Sequence, residues 1–200
     1  MINSVKPNLI VSDSRGAWFR ATILFILALI GTVGMWSVVV FIPDIEKEFG
    51  LDRGTSSLLY AFTMIGFGFG TVVIGKVYDK FGIKKPILLA TFVLITSYYF
   101  YSIFPFYWQF LILQFFMGFA ASAFFGPAMA DISNFFNKQR GFALSIVASA
   151  NYVAGATWPL LIGYFLTFID WRAAHFWISI CLFVMICLLY TSDAADDDHC

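Results

Sequence analysis

The sequence predicts an all-α protein that crosses a membrane with six helices, and three observations carry that prediction. Hydrophobic residues fill 60% of the 200 positions and charged residues only 12%, about half of what a soluble domain carries. Mean hydropathy is +0.84. Six runs free of Lys, Arg, Asp and Glu are each at least 18 residues long, against the roughly 20 apolar residues that span a hydrocarbon core.

The first run, residues 21–42, is followed by Pro43 and the acidic segment DIEKEFGLD, which are expected to end its helix. It exceeds the 7 to 15 residue core of a signal peptide, and no small-residue cleavage site follows it. The second run covers 56–75, the third 87–104, the fourth 106–130, the fifth 141–169 and the sixth 173–190. All are too long and too uniformly apolar for barrel strands. Helices satisfy their own backbone groups, and lipid demands that. Residues 1–190 are therefore expected to form one bundle embedded in a lipid bilayer, with 191–200 as an acidic tail.

Basic residues set the orientation, because short loops rich in Lys and Arg stay cytoplasmic. Nine such residues lie before the first run and in the second and fourth loops: Lys6, Arg15, Arg20, Lys76, Lys80, Lys84, Lys85, Lys138 and Arg140. Three lie in the other loops: Lys47, Arg53 and Arg172. The amino terminus is expected in the cytoplasm and the protein in a bacterial inner (plasma) membrane. Arg20, at the edge of the first run, is expected to snorkel to the headgroups.

Composition also excludes. Twelve basic side chains balance twelve acidic ones, which removes the electrostatic footprint of a nucleic-acid binder. A chain with 25 Phe, 9 Tyr and 6 Trp is not disordered. Cys181, Cys187 and Cys200 have no metal-ligand or disulfide spacing. His175 and His199 have no catalytic partner at fixed spacing, so neither an enzyme, a metal site nor a cofactor is expected.

The second loop reads GKVYDKFGIKKP, Gly75 to Pro86. Gly75 would let a backbone approach, Gly82 would permit a turn with positive φ, and Asp79 could accept from a helix amino terminus or pair with a cation. An ordinary positive-inside loop fits equally. This segment resembles the loop between helices two and three of the major facilitator superfamily, G-x-x-x-D-[RK]-x-G-x-[RK]-[RK], with Gly75, Asp79, Lys80, Gly82, Lys84 and Lys85 in the matching places. The resemblance implies a gating loop whose Asp79 contacts the other half of the transporter in one access state. It also implies a fold of twelve helices in two halves, each a 3+3 inverted repeat, of which this chain supplies the amino-terminal half and lacks the carboxyl-terminal six helices.

Helix four, LILQFFMGFAASAFFGP, places Gln114 where family members often have an Arg, with Gly118 four residues on. A neutral amide cannot replace that cation. Gln114 is either an interhelical hydrogen bond or a substrate contact. Helix five carries small residues suited to close packing, with Gly155 and a kinking Pro159. Arg-Gly-x-Ala from Arg140, together with Asp170, Trp171 and Arg172, is similar to the branch of oxalate/formate antiporters and monocarboxylate transporters. That similarity implies a secondary transporter of a small solute, an organic anion such as a monocarboxylate or dicarboxylate, working by alternating access.

Candidate contacts in a central cavity are Trp36, Tyr60, Gln114, Asn151 and Tyr152. Lipid-facing positions are the competing assignment for Trp36 and Tyr60. The tail TSDAADDDHC is either native or the foreign end of a truncated frame, since YTSDAADD resembles translated adapter sequence. The competing function is a six-helix membrane subunit or sensor that transports nothing.

Overall fold

The computed structural model describes residues 13–197, with side chains described to residue 185. The acidic tail from 191, Cys187, Cys200 and His199 fall wholly or in their side chains outside the described residues. Seven helices follow one another: α1 (Arg15–Gly31), α2 (Val33–Phe49), α3 (Arg53–Phe81), α4 (Lys84–Ile103), α5 (Tyr107–Phe135), α6 (Arg140–Phe165) and α7 (Trp171–Asp197). The described residues contain no strand. α1 and α2 form one 35-residue span, and α3, α4, α5 and α6 are each long and apolar enough to cross a membrane. Trp171–Met185 of α7 is apolar but shorter, and its backbone stays helical to Asp197. The chain runs up and down, so one end of the bundle carries the amino terminus and the other, here the far end, carries the α2–α3, α4–α5 and α6–α7 turns.

Local chemistry sets the helix ends. Asp52 caps α3, its carboxylate accepting from Gly54 N at 2.8 Å and Thr55 N at 3.1 Å. Gly50 (φ 62) closes α2 and Gly82 (φ 74) closes α3, both in backbone conformations that suit glycine. Pro43 does not end the first span, contrary to expectation. It lies inside α2 and removes one helical donor, yet Phe41 and Ile45 on either side are buried to 1% and 0% exposure. That burial holds the helix together until Gly50 stops it.

The span breaks instead at Thr32 (φ −87, ψ 4). The Thr32 hydroxyl donates back to Ala28 O at 2.7 Å, and the Trp158 indole of α6 donates to Leu29 O at 2.8 Å. A Cβ on Gly31 would sit 2.1 Å from the Phe124 ring of α5. The break is thus shaped by two neighbouring helices.

α3 and α5 touch backbone to backbone. A Cβ on Gly118 would stand 1.9 Å from Thr63 O, and one on Gly66 2.0 Å from Phe115 O. Only glycine permits that approach. Gly75, by contrast, meets nothing within 4 Å among the described residues, so no described backbone makes the close approach expected there. The segment expected as a loop is also mostly helical: Gly75 to Phe81 complete α3, and α4 begins at Lys84.

Ion pairs tie both ends. At the amino-terminal end Arg20 does not merely snorkel, because its guanidinium grips Asp131 of α5 with Nε at 2.6 Å and Nη2 at 3.1 Å, and it lies over the Phe135 ring. Asp131 is 6% exposed, and a carboxylate so enclosed needs this partner. Asp13 accepts from Lys138 N and Gln139 N, each at 3.1 Å. At the far end Glu48 accepts from Trp171 Nε1 at 2.8 Å and Arg172 Nη2 at 2.6 Å. Arg172 also donates to Phe104 O, so the Trp171–Arg172 pair joins α2, α4 and α7.

Candidate functional site

Two of the five expected cavity residues meet. Trp36 of α2 donates through Nε1 to Asn151 Oδ1 of α6 at 3.1 Å, and Gly155, one turn along α6, lies under the Trp36 ring at the distance where a Cβ would be 3.0 Å away. An indole can only donate. The Asn151 oxygen is therefore turned to Trp36, and its NH2 group forms no hydrogen bond among the described residues. The pair is half-buried and lies one turn past the Thr32 break, close to the middle of the 35-residue span.

The other three residues lie elsewhere. Gln114 is fully buried, its Oε1 accepting from Thr63 Oγ1 at 2.8 Å and its Nε2 donating to Tyr101 OH at 3.2 Å. Its amide joins α3, α4 and α5 inside the core. Tyr60 borders a cleft between α2 and α3 near the far end. Tyr152 is 75% exposed and faces away from the bundle. Of the loop residues, Asp79, Lys80, Gly82, Lys84 and Lys85 are exposed at the amino-terminal end, and Lys80 and Lys85 flank the Phe81 ring. Pro159 lies within α6 without ending it.

Several polar groups escaped the sequence reading. Ser37 and Tyr98 hydroxyls lie 2.6 Å apart in the core. His175, read in the sequence only as lacking a catalytic partner, is 1% exposed. It stacks on Tyr101 with centroids 4.4 Å apart and planes within 4°, and its Nδ1 lies 2.8 Å from Trp171 O. Asp131 and Arg20 sit just beyond the fourth run and at the edge of the first, at the same end of the bundle. That coincidence was the available signal. Among the described residues no three His, Cys, Asp or Glu side chains gather.

A bundle that buries its polar groups, turns apolar side chains outward and is built of helices long and apolar enough to cross a membrane belongs to the class of integral membrane proteins. Comparison with known sequences narrows this. The profile of the Major Facilitator Superfamily matches residues 24–198, and the chain belongs to that family. It is 31% identical over 105 residues to the MFS transporter asaE of Aspergillus flavus, covering 52% of this chain and 23% of that protein. It is 23% identical over 172 residues to the inner membrane transport protein YnfM of Escherichia coli, covering 84% of this chain and 41% of the relative. With the Agnestins efflux protein AgnL12 of Paecilomyces divaricatus it shares 28% over 127 residues, 60% of this chain and 29% of the relative. The matched part thus spans less than half the length of these three relatives.

Proposed function

We propose that the chain forms one six-helix half of a secondary transporter for a small organic anion, a monocarboxylate or dicarboxylate, which works by alternating access with a second six-helix half. The observation that carries this reading is the Trp36–Asn151 pair. Because Trp36 fixes the amide, Asn151 presents two N–H donors to the half-open side of α2 and α6, and a carboxylate is a strong acceptor for them. A broken helix near the middle of a span is where substrate sites of such transporters form. The cationic partner of the anion would come from the second half.

In this reading the amino terminus is cytoplasmic, the membrane is a plasma membrane, and the exposed Asp79 with Gly75, Lys80, Gly82, Lys84 and Lys85 forms the gating loop. The test is uptake and exchange of labelled mono- and dicarboxylates in vesicles holding the full-length protein. Asn151→Ala is expected to raise KM about tenfold, the loss of one charge-assisted hydrogen bond. Failure to move any small anion would defeat the substrate assignment.

A second reading is export of a larger organic metabolite, favoured by the printed name of the Agnestins efflux protein. Outward movement of a bulky organic compound in the same vesicles, with carboxylates inert, would select it.

A further inference from the structure

The face of α2 that carries Trp36 continues toward the far end through Val40 to Pro43, at the three- and four-residue steps that keep side chains on one side of a helix. Beside Pro43, α2 and α3 border a half-open cleft of about 270 Å³. Val39, Ile42, Pro43 and Tyr60 supply apolar walls, and Arg53 and Ser57 lie along its α3 side. Arg53, Ser57 and Tyr60 stand four and three residues apart, so they form one stripe on α3. The volume lies just below the range of about 300–1,000 Å³ found for sites of drug-sized ligands. The cleft therefore suits a molecule of a few carbon atoms.

Charge narrows the ligand further. Of the acidic side chains near the cleft, Asp52 holds Gly54 N, Thr55 N and the Thr55 hydroxyl, Glu46 accepts from Ser56, and Glu48 holds Trp171 and Arg172, while Asp44 follows Pro43 on α2. Arg53 forms no ion pair among the described residues, and the Tyr60 hydroxyl no hydrogen bond. The cleft thus offers an uncommitted guanidinium at one end and an uncommitted phenol about two helical turns along.

We propose that this cleft is a second binding site, separate from the Trp36–Asn151 pair, for a small carboxylate with a short aliphatic body. Arg53 takes the carboxylate through paired N–H donors, and the body lies on Ile42, Pro43 and Tyr60. Trp36 lies seven residues from Pro43 on the same face, about 10 Å at 1.5 Å per residue, so a ligand held here stands next to the central pair. The choice of a carboxylate rests on the proposed function, whereas the cleft and its free cation do not.

The test is photolabelling of the full-length protein in lipid nanodiscs with a diazirine-bearing five-carbon monocarboxylate, and with its uncharged methyl amide as the control. Adducts are mapped by mass spectrometry. Saturable adducts within residues 53–60 are expected in the wild type, falling about tenfold or more in Arg53→Ala and with the amide, and largely restored in Arg53→Lys. Arg53 is exposed, so Arg53→Ala is expected to keep the helical circular dichroism of the parent. Labelling at 53–60 that is absent, or indifferent to the charge at position 53, overturns the site. Arg53-dependent adducts in a protein whose full-length form moves no carboxylate overturn the proposed transport and leave the site standing. Carboxylate transport without such adducts does the reverse.

Discussion

Gln114 shows how one side chain can serve three helices. Both ends of its amide are held in a fully enclosed place, by Thr63 on one side and Tyr101 on the other. Interhelical hydrogen bonds in membrane proteins contribute roughly 0.6 to 2 kcal/mol each. Gln114→Leu keeps the volume and removes both, so unfolding measured by steric trapping in bicelles is expected to show a loss of about 1–3 kcal/mol. Asp13 gives a different kind of prediction. Its carboxylate is held below the ordinary aspartate value, first by the backbone N–H of Lys138. A depressed folded pKa means that the clamp on the α5–α6 turn is complete above the unfolded value and is lost as pH falls through the folded one. Hydrogen exchange at Lys138 and Gln139, corrected for intrinsic rate, is expected to be slow above about pH 5 and to accelerate in acid. In Asp13→Asn the protection should not depend on pH in that range.

Among the helices, contact between α3 and α5 depends on glycines that look alike in sequence but differ in surroundings. Gly118 has no room for a methyl group, whereas Gly68, on the outward side of α3, meets nothing within 4 Å. Gly118→Ala is expected to force the two backbones apart and to cost about 1–3 kcal/mol or more, and Gly68→Ala to be close to neutral. Melting of the two variants in detergent separates them, and equal behaviour would refute the packing account. The existence of the helices was legible from apolar runs, because length and absence of charge suffice to call for a span. Their ends and interruptions were not. Pro43 has a low helix propensity that the burial of Phe41 and Ile45 overrides. The Thr32 break depends on Phe124 and Trp158, residues 92 and 126 positions away in the sequence, and no local pattern reports such partners.

For the molecule as a whole, the family was legible through the loop from Gly75 to Lys85, since a spacing of six positions survives without any knowledge of packing. The candidate site was legible only in part. Trp36 and Asn151 were named and do meet, but nothing in the spacing separates them from Gln114, whose polarity serves the core. The Arg20–Asp131 pair joins positions 111 apart, a relation that only the fold creates. The gating role proposed for Asp79 belongs to this scale too: its contact with the other half would hold the amino-terminal end closed, so in the complete protein in native membranes Asp79→Asn is expected to lower labelling of far-end cysteine probes. Unchanged labelling would remove the loop from that role.

The joint at Thr32 and the pair at Arg20 are also connected by simple geometry. Twelve residues of α1 separate them, about 18 Å at 1.5 Å per residue. A swing of α1 by only about 10° about the joint would carry the Arg20 end sideways by roughly 3 Å, as much as a hydrogen-bond length. The two contacts to Asp131 therefore tolerate only a narrow arc about that joint.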